Sequence, residues 1–174
     1  MSDLAQVVSA TLRDVPDFPK PGILFKDITP VLRQPELFGR VIRWMGEQYP
    51  ADQVDAVVGM ESRGFIFAAP LVRELNAGFV PARKAGKLPA DCVSMTYDLE
   101  YGTATLEIHA DAIQPGQGVV IVDDLLATGG TAKATVELVR KLGGVVLGCC
   151  FLVELDFLNG RDVLDVPVVS LVHV

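Results

Sequence analysis

Near-continuous apolar runs recur along the chain at 54–60, 78–82, 119–122 and 145–155, each bounded by glycine or by acidic residues. Runs of this length without polar alternation read as strands buried on both faces, as in a parallel sheet. Helical spacing fills the intervals. Leu4, Val7, Val8 and Leu12 predict an amphipathic helix over 3–13. Pro35 suits the first turn of a second helix, with Leu37, Val41, Trp44 and Met45 on one stripe. Further helices are expected over 66–74 and 131–142. The last has Ala134, Leu138 and Val139 facing inward and stops at Gly143-Gly144. Stretches 93–97 and 103–109 alternate, and predict an antiparallel ribbon with Leu106 and Ile108 on one face and Thr105, Glu107 and His109 on the other. A final short strand is expected over 168–174. Strands alternating with helices imply an α/β domain built on a mostly parallel central sheet flanked by helices.

One early segment breaks the pattern. Pro16, Pro19 and Pro21 exclude a helix or a central strand, leaving a stiff, extended stretch that ends in Ile23-Leu24-Phe25-Lys26-Asp27-Ile28. Such a segment either covers the core or offers an aromatic plane and a fixed backbone to a flat ligand. The residues alone leave both readings open.

The most informative stretch is 119–132, Val-Val-Ile-Val-Asp-Asp-Leu-Leu-Ala-Thr-Gly-Gly-Thr-Ala. It reads as strand, acidic pair, small-residue loop, then helix. Glycines let a ligand approach the backbone, and the first N–H groups of a helix are unsatisfied, which favours a phosphate. Asp123 and Asp124, placed at the carboxyl end of the strand, suit a Mg²⁺ ion or ribose hydroxyls. No G-x-x-x-x-G-K-[ST] occurs, and no G-x-G-x-x-G follows a strand. A second strand–turn–helix unit carries Glu61-Ser62-Arg63-Gly64-Phe65. The most basic stretch, Arg83-Lys84-Ala85-Gly86-Lys87-Leu88-Pro89, follows another strand end, where an anion site is expected.

Composition narrows the classes. The 174 residues are 50% hydrophobic with a formal net charge of −7, which fits one globular domain and argues against nucleic-acid binding. Cys92, Cys149 and Cys150 form no spaced framework, as expected in a reducing compartment, and neighbours in a strand serve better as apolar fillers than as a redox pair. Asp3 and Gln6 interrupt any signal-peptide core, and no apolar run is long enough to span a bilayer. A cytoplasmic protein without membrane or nucleic-acid partners is expected.

The 119–132 stretch resembles the 5-phosphoribosyl-1-pyrophosphate (PRPP) motif of the type I phosphoribosyltransferases. Phe18-Pro19-Lys20-Pro21-Gly22-Ile23-Leu24-Phe25-Lys26-Asp27-Ile28-Thr29-Pro30, the blocks at 61–65 and 83–89, Tyr97-Asp98-Leu99-Glu100-Tyr101-Gly102 and Val153-Glu154-Leu155 resemble, in order, those of the adenine phosphoribosyltransferases. The resemblance covers about 17–155. It implies one domain over 1–174, with a hood at about 1–33 and a lid loop at about 84–102. It also implies Mg²⁺-dependent transfer of ribose 5-phosphate from PRPP to adenine, giving AMP and pyrophosphate in purine salvage, and a homodimer.

The resemblance assigns roles to residues as well. Ala127, Thr128, Gly129, Gly130 and Thr131 would cradle the 5′-phosphate. Asp123 and Asp124 would face the ribose and a Mg²⁺ held mainly by PRPP and water. Glu61, Ser62, Arg63, Arg83, Lys84 and Lys87 would meet the pyrophosphate, with a cis peptide at Glu61-Ser62. Leu24 and Lys26 would bind adenine through main-chain groups, with Phe25 and Leu125 near its faces. Glu100 would manage the proton on adenine N7 and Tyr101 would close over the site. Lys26 stands where many relatives carry Arg, and Ser62 where some carry Ala. Two other readings share features of the chain: a transferase for hypoxanthine or xanthine, and a PRPP-sensing regulator that binds nucleic acid. The second would need an added DNA-binding domain and a basic face.

Overall fold

The computed structural model describes residues 3–98 and 103–174. In chain order these form α1 (Asp3–Thr11), β1 (Arg13–Pro16), β2 (Leu24–Asp27), α2 (Thr29–Leu32), α3 (Pro35–Glu47), β3 (Ala56–Met60), α4 (Gly64–Leu75) and β4 (Gly78–Lys84). After these come β5 (Cys92–Asp98), β6 (Thr103–His109), β7 (Gly118–Leu126), α5 (Gly130–Lys141), β8 (Val145–Glu154) and β9 (Val168–His173).

Seven strands make the main sheet in the order β5-β6-β4-β3-β7-β8-β9. β4, β3, β7, β8 and β9 are mutually parallel, and β6 joins β4 antiparallel to add the β5–β6 ribbon as one edge. The centre is apolar on both sides because helices cover both. Val57, Val120, Val122 and Cys150 pack with α3 and α4 residues such as Met45, Phe67 and Leu71. Ala56, Val58, Ile121 and Cys149 pack on the other face with Ala134, Leu138 and Val139 of α5. Adjacent Cys149 and Cys150 therefore point to opposite faces as buried free thiols, and burial pushes the Cys149 thiol up to about 12. Among the described residues no helix is long and apolar enough to cross a membrane.

Two strand ends differ from expectation in a way that matters for the site. β7 runs through Asp123 and Asp124 to Leu126, so the acids lie within the strand and not beyond it. The cause is β8, which continues alongside and pairs Leu125 with Val153 and Leu126 with Glu154. β4 likewise extends to Lys84, because β6 pairs with it at Arg83↔Glu107 and Lys84↔Leu106. Arg83 and Lys84 are thus strand residues, held more rigidly than loop residues would be.

The proline-rich segment folds back on itself. β1 and β2 form a separate two-stranded antiparallel sheet, with Asp14 opposite Lys26 and Val15 opposite Phe25. The connection is closed by the Gly22 amide, which donates to Asp17 Oδ1 at 2.7 Å. Among the described residues β1 is the one strand neighbour of β2, whose second backbone edge is free of strand pairing.

Candidate functional site

The C-terminal edge of the parallel strands carries the site, as strand ends do at a topological switch point. Here β7 is the hinge of the sheet order: β3 and β8 flank it on either side, while the chain passes directly from β7 through a tight loop into α5. Ala127, Thr128, Gly129, Gly130 and Thr131 wrap a cavity of ≈ 90 Å³ together with Met60, Asp123, Leu125, Leu126, Ala132 and Phe151. Gly129 is the residue before the helix and has φ +80°, which an L side chain resists by ~1–2 kcal/mol. Space forbids a side chain as well, since a Cβ there would lie 2.3 Å from the Gly160 carbonyl oxygen and 2.5 Å from Val163 Cγ2. Among the described residues no side chain caps α5, and unsatisfied first-turn amides of this kind suit an anion.

Asp123 and Asp124 adjoin this loop. Asp124 is 3% exposed, and its Oδ2 lies 2.8 Å from Arg63 Nε. The Asp124 amide donates to Asp123 Oδ1 at 2.8 Å. Burial pushes the Asp123 carboxyl well above the usual range, and the neighbouring Asp124 charge adds to the effect. Burial also raises Asp124, although the Arg63 charge opposes it. Asp123 lines the cavity and offers a carboxylate of the hard-oxygen type that suits Mg²⁺ through water, whereas Asp124 already has a cation in Arg63.

The turn before α4 supplies the opposite charge. Its Glu61-Ser62 peptide is cis, in accord with the resemblance. Gly64 lets the turn sit against β7, since a Cβ there would lie 2.6 Å from the Val122 carbonyl oxygen and 3.0 Å from Asp123 Oδ1. Glu61 gathers the basic stretch: it accepts from Arg83 Nε at 3.3 Å, from the Lys84 amide at 3.1 Å and from Lys87 Nζ. The Lys87 hydrogen bond leads in holding the Glu61 carboxyl below its ordinary value. Arg83 also donates to the Lys87 carbonyl at 3.1 Å, closing the stretch into a loop. Glu61 is therefore an organiser of the cations, whereas Ser62 is exposed and makes no such link.

The N-terminal hairpin meets this cluster through Phe25. The Arg63 guanidinium carbon lies 5.3 Å from the Phe25 ring centroid, within cation–π range, and Phe18 packs edge-on against Phe25 at 5.1 Å. Leu24 is half exposed. Lys26 Nζ is tied to Asp14 Oδ1 at 2.6 Å across the hairpin, so its ammonium is already engaged. Leu125 is partly buried and lines the cavity beside the 127–131 loop. Glu100 and Tyr101 lie outside the described residues.

Tyr97 falls in the expected ribbon and in the 97–102 block, yet the sequence assigns it no role at the site. Its hydroxyl lies 3.1 Å from Thr131 Oγ1, linking the ribbon to the start of α5. The signal was present, because strand alternation puts Val93, Met95 and Tyr97 on one face, and all three pack toward α5. The contact of Gly160 and Val163 with the loop had no such signal, since it joins positions about thirty residues apart through tertiary packing.

A family model described as a phosphoribosyl transferase domain matches residues 27–170. A protein of Acidobacterium capsulatum named adenine phosphoribosyltransferase is 58% identical over 167 residues, covering 95% of this chain and 92% of the relative. One of the same name from Myxococcus xanthus is 60% identical over 155 residues, covering 89% and 84%. Crystal structures agree. An adenine phosphoribosyltransferase from Rhodothermus marinus superposes with a TM-score of 0.93 at 51% identity, covering 98% of each chain. The Saccharomyces cerevisiae protein, complexed with an imino-altritol bisphosphate and adenine, superposes with a TM-score of 0.93 at 46% identity, covering 98% of this chain and 99% of its own.

Proposed function

Because the chain belongs to the adenine phosphoribosyltransferases, we infer that it transfers ribose 5-phosphate from PRPP to adenine, yielding AMP and pyrophosphate in purine salvage. The observation that carries this reading is the cavity walled by residues 127–131 beside the acid pair, with Arg63 bridging to the hairpin. A 5′-phosphate, a ribose and a leaving pyrophosphate need those three neighbours.

In this reading adenine N9 bonds to C1 as the C1–O bond to pyrophosphate breaks, and the bonding pair departs with pyrophosphate. The base gives up its imidazole proton. The amides and hydroxyls of residues 127–131 hold the 5′-phosphate, so that C1 is presented at a fixed distance. Asp123 and Asp124 face the ribose and would hold Mg²⁺ through water and PRPP oxygens; the ion would supply charge neutralisation of the diphosphate. Arg63, Arg83, Lys84 and Lys87 stabilise charge that grows on the departing group, which favours the transition state over the ground state. Glu61 holds these cations in place, and Ser62 contributes to the same turn.

The free backbone edge of β2 at Leu24 and Lys26 reads the base, with Phe25 and Leu125 against its faces. A main-chain donor and acceptor set matched to the exocyclic amine would select adenine over hypoxanthine. The region 1–33 acts as a hood and 84–102 as a lid within one domain, with Glu100 handling the base proton and Tyr101 closing the site. Ile66 and Phe79, each 40% exposed, are apolar side chains suited to contact with a second copy in a homodimer. Unpaired, buried Cys149 and Cys150 accord with a cytoplasmic setting.

An assay with PRPP, Mg²⁺ and each purine base in turn tests the reading. Turnover with adenine alone is expected. Turnover with hypoxanthine but not adenine would overturn the base assignment, and none with any base would favour a PRPP sensor.

A further inference from the structure

Outside the lining of the cavity walled by residues 127–131 lies an ion pair between buried Glu154 and half-exposed Arg161. Glu154, the last residue of β8, has a side chain 5% exposed. Arg161 donates to it twice, from Nε to Oε1 at 3.0 Å and from Nη2 to Oε2 at 2.7 Å. Ser170 adds a hydroxyl to Oε2 at 2.6 Å, and the third Arg161 nitrogen, Nη1, donates to the Val168 carbonyl at 3.0 Å. His173 Nδ1 lies 2.8 Å from Asp156 Oδ1 and 3.9 Å from Glu154 Oε2. Glu154, Asp156 and His173 approach one another as metal ligands do, but both Glu154 oxygens are already taken by Arg161 and Ser170. The cluster is a satisfied ion-pair network.

Arg161 sits in the short 3-10 turn Gly160–Val163, which follows Asn159 at φ +51°. That turn touches the phosphate loop on both of its flanks. A Cβ on Gly160 would lie 2.0 Å from the Ala127 carbonyl oxygen, and one on Gly129 would meet both the Gly160 oxygen and Val163 Cγ2. The loop thus rests on the turn with no room for a methyl group between them. The turn in turn is anchored to β8 and β9 by the bidentate Arg161 fork, whose planar geometry fixes orientation as well as distance. β8 itself continues into the pairing Leu126↔Glu154, one residue before the loop begins.

We propose that Glu154 and Arg161 are positioning residues for the 5′-phosphate: by fixing the Gly160–Val163 turn against Ala127 and Gly129, they set the geometry of the loop that holds PRPP and AMP. The inference rests on the assignment of residues 127–131 to the 5′-phosphate. Neither residue lines the cavity walled by residues 127–131, and both act through that loop, so the effect is expected on phosphate-bearing ligands and not on the free base.

Arg161→Lys keeps the charge and loses the fork, and Val163→Ala removes the contact with Gly129 without touching the ion pair. Steady-state kinetics with PRPP and adenine, and AMP binding by calorimetry, read both variants against the unaltered enzyme. The PRPP KM and the AMP Kd should each rise about tenfold in Arg161→Lys, as a loosened binding loop predicts. Val163→Ala should move them in the same direction, while the adenine KM stays within about twofold. A fall in the amount of folded enzyme with unchanged PRPP KM and AMP Kd in the survivors would reduce the pair to a stability element and overturn the proposal. If Arg161→Lys does not fold, Val163→Ala and Ser170→Ala carry the same readout, and unchanged constants in both overturn it. Absence of adenine turnover or of AMP binding in the unaltered enzyme would instead remove the functional reading on which the inference stands.

Discussion

Arg63 Nε lies 2.8 Å from Asp124 Oδ2, and the same guanidinium lies over the ring of Phe25 at 5.3 Å from its centroid. One side chain thereby joins three parts of the site: the turn before α4, the acid pair of β7, and the N-terminal hairpin. Replacing it with alanine removes a cation from the pyrophosphate side, and kcat/KM for PRPP is expected to fall roughly 10²–10³-fold. It also leaves the buried Asp124 carboxyl without its cation, which lowers stability. Kinetics and a thermal melt together check this. A fall in melting temperature with unchanged kcat/KM would make Arg63 structural.

Gly129→Ala should remove activity for a steric reason. The residue has φ +80°, and the new methyl would lie 2.3 Å from the Gly160 oxygen. The loop must shift away from its support, so binding of AMP should weaken at least about tenfold. Calorimetric titration of AMP into the purified variant measures it, and wild-type affinity would contradict the role given to the loop.

Lys26→Arg is expected to be nearly silent. The Lys26 ammonium is engaged with Asp14 at 2.6 Å, and an arginine can keep that pair. Exposed ion pairs are worth ~1 kcal/mol or less, which limits the change in adenine KM to about fivefold. A larger change would mean that the side chain, and not the main chain of β2, reads the base.

Glu100→Ala should lower turnover far more than it weakens PRPP binding. A proton handler acts in the transition state, whereas a positioning group affects both quantities alike. Comparing kcat with the PRPP dissociation constant separates the two, and equal losses would assign Glu100 to positioning.

Acid should reveal the Glu61 cluster. Hydrogen bonding by Lys87, with the Lys84 amide and Arg83, lowers the Glu61 carboxyl below its ordinary 4.5. A lowered acid contributes stability that is present above the unfolded value and lost as pH falls through the folded one. The difference in melting temperature between the wild-type protein and Glu61→Gln should therefore be constant at neutral pH and shrink below about pH 4.5. A difference that is flat across pH 3–7 would show that the charge of Glu61 adds nothing.

Much of this architecture is legible in the residues. The apolar runs become β3, β4, β7 and β8, and the 3.6-residue spacing of Leu37, Val41 and Met45 becomes the buried stripe of α3. Local chemistry suffices there, because burial on two faces and helical periodicity write themselves into the order of side chains. The loop proposed to hold the 5′-phosphate is equally local: an acid pair, two glycines and two hydroxyls stand at one strand-to-helix junction within a dozen residues.

What stayed hidden depends on pairing between distant segments. Strand ends could not be placed, because β7 reaches Leu126 only where β8 supports it and β4 reaches Lys84 only where β6 does. The basic stretch shows its charges in the sequence but not their partner: Glu61, more than twenty residues earlier, gathers two of its side chains. Charge sign is a property of sequence, while charge pairing is a property of space. The sequence by itself determined the layers of the fold, the glycine-rich loop at the end of β7 and the acidic and basic residue types gathered around it. Tertiary structure alone decided which cation meets which acid, that Arg63 connects the hairpin to the acid pair, and that the phosphate loop leans on Gly160 and Val163, since each of these contacts is made by packing across the sheet edge and not by neighbours in the chain.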